Sequence, residues 1–208
     1  MIKKSISGLL IGLIFSTQLL AQQAFVEGVD YQLINPPVNT SSPDKVVVTE
    51  MFWYGCPHCF SFEPFVQNWS ANLSQGIIFE QVPSVLNPRW GDHARTYYSL
   101  KQMGELEKVH SKLFDAIHVE RQRLNRFDDI AKFVATLGVN EAKFREVYNS
   151  FPVDALFRKN SKIEQKYGHR GVPSLIVNGK YLTSAGMAGS NQRLIQVIDF
   201  LANKELNQ

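Results

Sequence analysis

The chain has 208 residues, 44% of them hydrophobic, a formal net charge of +3 and only two cysteines. That length suits one sizeable domain, or a small domain with a large insertion, so no disulfide staple is needed to bury a core. The small charge excludes partners held mainly by charge, nucleic acid and anionic membrane surfaces among them.

Met1-Ile2-Lys3-Lys4 is a basic start, Ile6 to Leu20 a short apolar run, and Ala21 to Ala24 a small-residue exit. Together they predict a secretory signal over residues 1–21, cut after Ala21 or Ala24. Leu19 and Gln22 stand where a small residue is preferred, which leaves the cut position open and an uncleaved anchor as the alternative. Loss of the segment removes Lys3 and Lys4 and no acid, bringing the protein closer to neutrality. Residues 25–44 read as an extended lead-in, with a short strand over 31–34 stopped by Asn35-Pro36-Pro37. Residues 45–53 are nearly continuous in apolar side chains and β-branched at the start, the pattern of a central strand covered on both faces.

Beyond Gly55 the spacing changes. Cys59, Phe60, Phe62, Phe65, Val66, Trp69 and Leu73 recur at helical intervals, so a helix starts at Cys56 with Pro57 in its first turn and Pro64 as a kink rather than a stop. Phe60 and Phe62 read as core before they read as groove. A second strand over 77–82 completes a βαβ unit with parallel strands. Helices follow over 91–103, 105–117, 126–137, 141–150 and 153–167, with Asp128 and Asn140 near helix starts as caps. A strand over 174–177, the type I′ turn signal Asn178-Gly179, a strand over 180–183 and an amphipathic helix over 190–204 close the chain. The order is βαβ, a helical insertion, then ββα.

The chemistry concentrates at Cys56-Pro57-His58-Cys59. A bridge across so few residues adds little chain-entropy stabilisation, compared with about 3 kcal/mol for a fifteen-residue loop, so a structural staple is a poor reading. A zinc site needs about four ligands, and the remaining histidines, His93, His110, His118 and His169, fall in no ligand-like spacing. They read as surface or partly buried polar residues. Cysteines at i and i+3 on a first helical turn can bond and separate without refolding. Cys56 at the helix N-terminus meets unpaired N–H groups and the macrodipole, and His58 adds a donor or a charge; each favours a Cys56 thiolate. Stabilising the thiolate stabilises the dithiol, so the disulfide is expected to be an oxidant. Glu50 lies in an apolar strand and is either a solvated strand end or a buried, titrating acid.

Cys56-Pro57-His58-Cys59 after a buried strand, Pro64 in the helix, Gly171-Val172-Pro173 opening a later strand, and Val-Asn-Gly-Lys-Tyr over 177–181 together carry a resemblance. Over residues 25–204 the sequence resembles the thioredoxin-fold disulfide oxidoreductases, and within them the DsbA family of periplasmic dithiol oxidases. The resemblance implies an α/β thioredoxin fold, βαβ plus ββα, over 25–86 and 168–204, with an inserted helical domain over 87–167. It implies that Cys56 and Cys59 are the redox pair, tuned by Pro57 and His58. Glu50 would assist proton transfer at the inner cysteine, Pro173 would be a cis-proline beside the pair, and Val172 would offer its backbone to a substrate. A second buried charge is also expected; Gln81 lies near its place. Gly55 departs from the bulky residue many members carry. The implied cofactor is the Cys56–Cys59 disulfide itself, without a metal. The implied partners are unfolded exported proteins with free thiols and a DsbB-like membrane quinone reductase, with the protein a periplasmic monomer. A reductase or isomerase of the same fold is the nearest rival, and a metal- or peptide-holding binder the more distant one.

Overall fold

The computed structural model describes residues 25–207, so the predicted signal segment lies outside the described residues. Its centre is β2 (Val46–Phe52), buried along its whole length. It pairs in parallel with β3 (Ile77–Pro83) on one side and antiparallel with β4 (Ser174–Val177) on the other. With β5 (Tyr181–Ser184) and the two-residue β1 (Gln32–Leu33) this makes a five-stranded sheet in the order β1-β5-β4-β2-β3. The apolar run of β2 follows from that place: neighbours on both edges and layers on both faces leave no side for solvent. Helix α1 (Pro57–Ser70) crosses from β2 to β3 and runs on through Pro64.

On one face Phe62 and Val66 of α1 and Leu194, Val197, Ile198 and Leu201 of α8 (Asn191–Leu206) pack on Val46, Val48, Leu175 and Val177. Between β3 and β4 lie α2 (Gly91–Met103), α3 (Leu106–His118), α4 (Phe127–Thr136), α5 (Glu141–Tyr148) and α6 (Phe151–Tyr167). Their shared core, with Leu100, Leu113, Phe114, Ile130, Val134 and Phe144, is continuous with Phe52, Tyr54, Cys56 and Cys59. The helical segment therefore packs directly over the cysteine pair.

One local expectation needs correction. Asp128 lies within the first turn of α4, where it pairs with Arg145, and does not cap it. The cap comes from another helix: Asp92 Oδ2 of α2 accepts the Phe127 N–H at 2.9 Å. Asn140 does cap α5, its Oδ1 accepting the Lys143 N–H at 2.9 Å. A 3-10 turn at Pro88–Trp90 and the four-residue α7 (Ala185–Ala188) were not expected, being too short to show a period. Asn178 and Gly179 have φ of 49° and 65°, as a type I′ turn requires. A Cβ on Gly179 would lie 1.8 Å from the Val38 carbonyl oxygen, so only glycine fits there.

Candidate active site

β2 delivers the chain to Trp53-Tyr54-Gly55, a turn closed by the Cys56 N–H donating to the Trp53 carbonyl at 2.9 Å. A Cβ on Gly55 would come within 2.3 Å of the Trp53 indole. The glycine thus lets Trp53 fold back, where it stacks on Trp90 with ring centroids 4.5 Å apart. Cys56 takes the N-cap position of α1 with extended backbone and Pro57 follows in the first turn, so the free N–H groups of that turn surround the sulfur. Cys59, one turn further, is fully buried, and His58 is exposed. Both cysteines are free thiols.

These neighbours set two very different acidities. The Cys56 thiol is lowered from 9.0 to about 6, first by the hydrogen bond from the Cys59 S–H, then by the backbone N–H groups of Cys59 and His58 and by the charge of His58, while burial opposes them. Burial pushes the Cys59 thiol far up, helped by its bond to Cys56 and by the charges of Glu50 and Cys56. At neutral pH the pair carries one thiolate, and it is on Cys56. The helix terminus and His58 were legible in the sequence; the inner cysteine as the largest donor was not.

Glu50 is fully buried, which disposes of the solvated-strand-end alternative. Burial, and then the nearby charge of Glu63, raise its carboxyl well above the usual range. Gln81 Nε2 bridges the two acids, donating to Glu50 Oε2 at 2.9 Å and to Glu63 Oε2 at 3.1 Å. The uncharged Gln81 therefore occupies the place expected of a second buried charge, and the second buried acid is Glu63 of α1. The apolar spacing that marks α1 in the sequence passes over Glu63, which the structure buries. Its partner His110 arrives from α3, with Nε2 3.1 Å from Glu63 Oε1, and no local pattern announces that contact.

The histidine reading is corrected in the same way. His93, His110 and His169 are buried, and only His118 of those four is half-buried. Each of the two on α3 finds a polar partner on Tyr54: His110 Nδ1 lies 2.7 Å from its hydroxyl, and His118 Nε2 lies 2.7 Å from its carbonyl oxygen. His93 Nε2 lies 2.6 Å from the Leu124 carbonyl. Burial with such partners costs little, so spacing along the chain could not reveal it. Phe62 is core, and Phe60 is half-buried and stacks on His118 at 4.9 Å.

Opposite the pair, the Val172–Pro173 bond is cis, and Cys56 Sγ lies 3.3 Å from the Val172 carbonyl oxygen, to which it can donate only in its neutral thiol form. Beside them opens a cleft of about 760 Å³ whose lining includes His58, Arg170, Val172, Pro173, Leu182 and Met187. Among the described residues no group of three or more His, Cys, Asp or Glu side chains converges as a metal site. The arrangement can exchange one disulfide: an activated outer sulfur, a protonated inner sulfur, a buried acid and an open cleft.

A family model described as a DSBA-like thioredoxin domain matches residues 66–202. The thiol:disulfide interchange protein DsbA of Pseudomonas aeruginosa is 37% identical over 188 residues, 89% of this chain and 89% of that protein. The protein of the same name from Burkholderia cepacia is 36% identical over 205 residues, 97% of each chain. The crystal structure of the Pseudomonas aeruginosa protein superposes with a TM-score of 0.84 at 37% identity, over 88% of this chain and 95% of that one.

Proposed function

This chain belongs to the DsbA-like thioredoxin family of disulfide oxidoreductases, and from that premise we propose that it donates the Cys56–Cys59 disulfide to newly exported proteins. The observation that carries this direction is the Cys56 thiol at about 6 beside a Cys59 thiol held protonated, an arrangement that favours the dithiol and makes the disulfide oxidising. A substrate thiolate attacks Cys56 Sγ and the bond to Cys59 breaks. Cys59 leaves as a thiolate and is protonated, with Glu50, whose carboxyl is raised by burial and by Glu63, as the proton donor in this reading. A second substrate thiolate then attacks the substrate sulfur of the mixed disulfide, and Cys56 leaves as a stabilised thiolate. The substrate gains a disulfide, and the protein is left reduced by two electrons.

Regeneration needs an external oxidant, supplied in this reading by a membrane quinone reductase of the DsbB kind, with the protein a monomer in the periplasm. Among the described residues no helix is long and apolar enough to cross a membrane. Residues 25–86 and 168–204 act as the redox domain and 87–167 as its roof. Val172 and Pro173 line the cleft where an extended substrate would lie.

Glu50→Gln removes the acid and keeps the shape, so both substrate oxidation and reclosure of the pair should slow by roughly 10²-fold in stopped flow. Unchanged rates would remove Glu50 from the proton path.

Equilibration against glutathione, read by the fluorescence of Trp53, tests the direction of the reaction. The expected potential lies well above that of glutathione; one near thioredoxin's, about −270 mV, would make the protein a reductase. His58→Ser should raise the Cys56 pKa and lower the potential by about 30 mV for each pKa unit regained. An unchanged thiolate absorbance titration would remove His58 from the account.

A further inference from the structure

Away from the cysteines, α6 ends at Gly168 in a left-handed conformation, φ 70°, and the chain turns back on itself. That turn brings the His169 ring to Glu164 of α6, with Nε2 3.2 Å from Oε1 and the two side chains 0% and 3% exposed. The same carboxylate holds the segment after β3. Ser84 Oγ–H donates to Oε1, and the Val85 N–H donates to Oε2 at 2.9 Å. Ser84 in turn donates its N–H to the carbonyl of Phe52, the last residue of β2, at 2.7 Å. Glu164 thus joins two paths that meet again at the cysteines. One runs through Ser84 and Phe52 to the turn before Cys56, the other through His169 to Val172, whose carbonyl oxygen lies 3.3 Å from Cys56 Sγ.

His169 is an odd residue for a structural pin. Neither ring nitrogen has a hydrogen bond among the described residues, although the ring is buried, and Nε2 only approaches Glu164 Oε1 at 3.2 Å. A buried polar ring without hydrogen bonds costs stability, and an apolar side chain of similar size would serve the fold as well or better. What the contact with Glu164 does supply is a buried tie between α6 and the strand-opening loop.

We propose that His169 and Glu164 are positioning residues that set the Val172–Pro173 loop at the spacing from Cys56 which accepts a substrate strand. The proposal rests on the reading of that loop as the substrate contact. It assigns to this pair the binding of substrate and not the redox poise, because the donors to the Cys56 sulfur all come from α1.

The test is His169→Leu, which forfeits no hydrogen bond, measured as KM and kcat for oxidation of a fluorescent dithiol peptide, with the glutathione potential and the melting temperature alongside. The expected result is a KM about tenfold higher, with kcat within about twofold, the potential unchanged and melting equal or higher. Glu164→Gln, which leaves one acceptor oxygen to be shared by Ser84 and Val85 and removes the oxygen pair that meets His169, should raise KM in the same sense. Should either variant fail to fold, the other is read alone. An unchanged KM, or KM, kcat and potential all shifting together with melting, would overturn the positioning role. Pro173→Ala separates the two layers: if it raises KM while His169→Leu does not, only the positioning role falls, and if neither moves KM the substrate reading of the loop falls too.

Discussion

Cys59→Ser is expected to stop turnover and to accumulate the protein as a mixed disulfide with its substrates, whereas Cys56→Ser stops turnover and accumulates nothing. Each variant should lose activity by roughly three orders of magnitude or more, because each removes one of the two sulfurs that carry the electrons. The asymmetry comes from the site. Cys56 keeps its place at the N-terminus of α1 when Cys59 is replaced, so its thiolate still attacks a disulfide of a substrate, displacing one substrate sulfur as a thiolate, and no second cysteine of the protein resolves the adduct. Cys59 alone is fully buried, and its thiol is held protonated by that burial, so it neither reaches nor attacks a partner. Non-reducing electrophoresis and intact mass decide the matter. Adducts on Cys56→Ser would reverse the assigned roles, and adducts on neither would disfavour thiol exchange in favour of a binder.

The second large effect is on stability. The reduced protein should be more stable than the oxidised one, the reverse of an ordinary structural bridge, and the gap should grow with pH. Cys56 in the fold titrates at about 6 against an ordinary 9.0. A depressed pKa contributes stability that is complete above the unfolded value and is lost as pH falls from about 9 through about 6. The linkage relation gives about 1.4 kcal/mol at pH 7 and about 2.7 at pH 8, upper figures that solvent screening at the outer sulfur reduces. The raised Cys59 thiol works against this only near and above pH 9, where the unfolded thiol ionises. The bridge spans too few residues for its own effect on the unfolded chain to be large. Urea midpoints of both forms at pH 5, 7 and 8 should coincide at the first and separate progressively at the others. Equal midpoints at pH 8 would contradict the oxidising poise itself.

Much of the fold was legible because its signals are local. The apolar run of β2, the change to helical spacing at Cys56, the return to strand at Ile77 and the Asn178-Gly179 turn each depend on residues a few positions apart. The bounds of α2 and β4 were readable to the residue for the same reason. Caps were readable only where they too are local: Asn140 caps its own helix, while α4 borrows Asp92 from α2.

The sequence by itself determined the redox pair, the strand and helix that present it, and an acid embedded in that strand. Those depend on spacing of three to six residues, which backbone geometry converts directly into proximity. Only the tertiary structure decided which groups share the buried site. Glu63 and His110 are 47 residues apart, and Cys56 and Val172 are 116 apart. The charge state of Cys56, Cys59 and Glu50 is set by such neighbours and by desolvation, both properties of packing. A polar residue on an amphipathic helix looks the same in sequence whether its partner across the core is water or another chain segment. The physical reason is that burial and ion pairing act through space, while the patterns a sequence displays act along the chain.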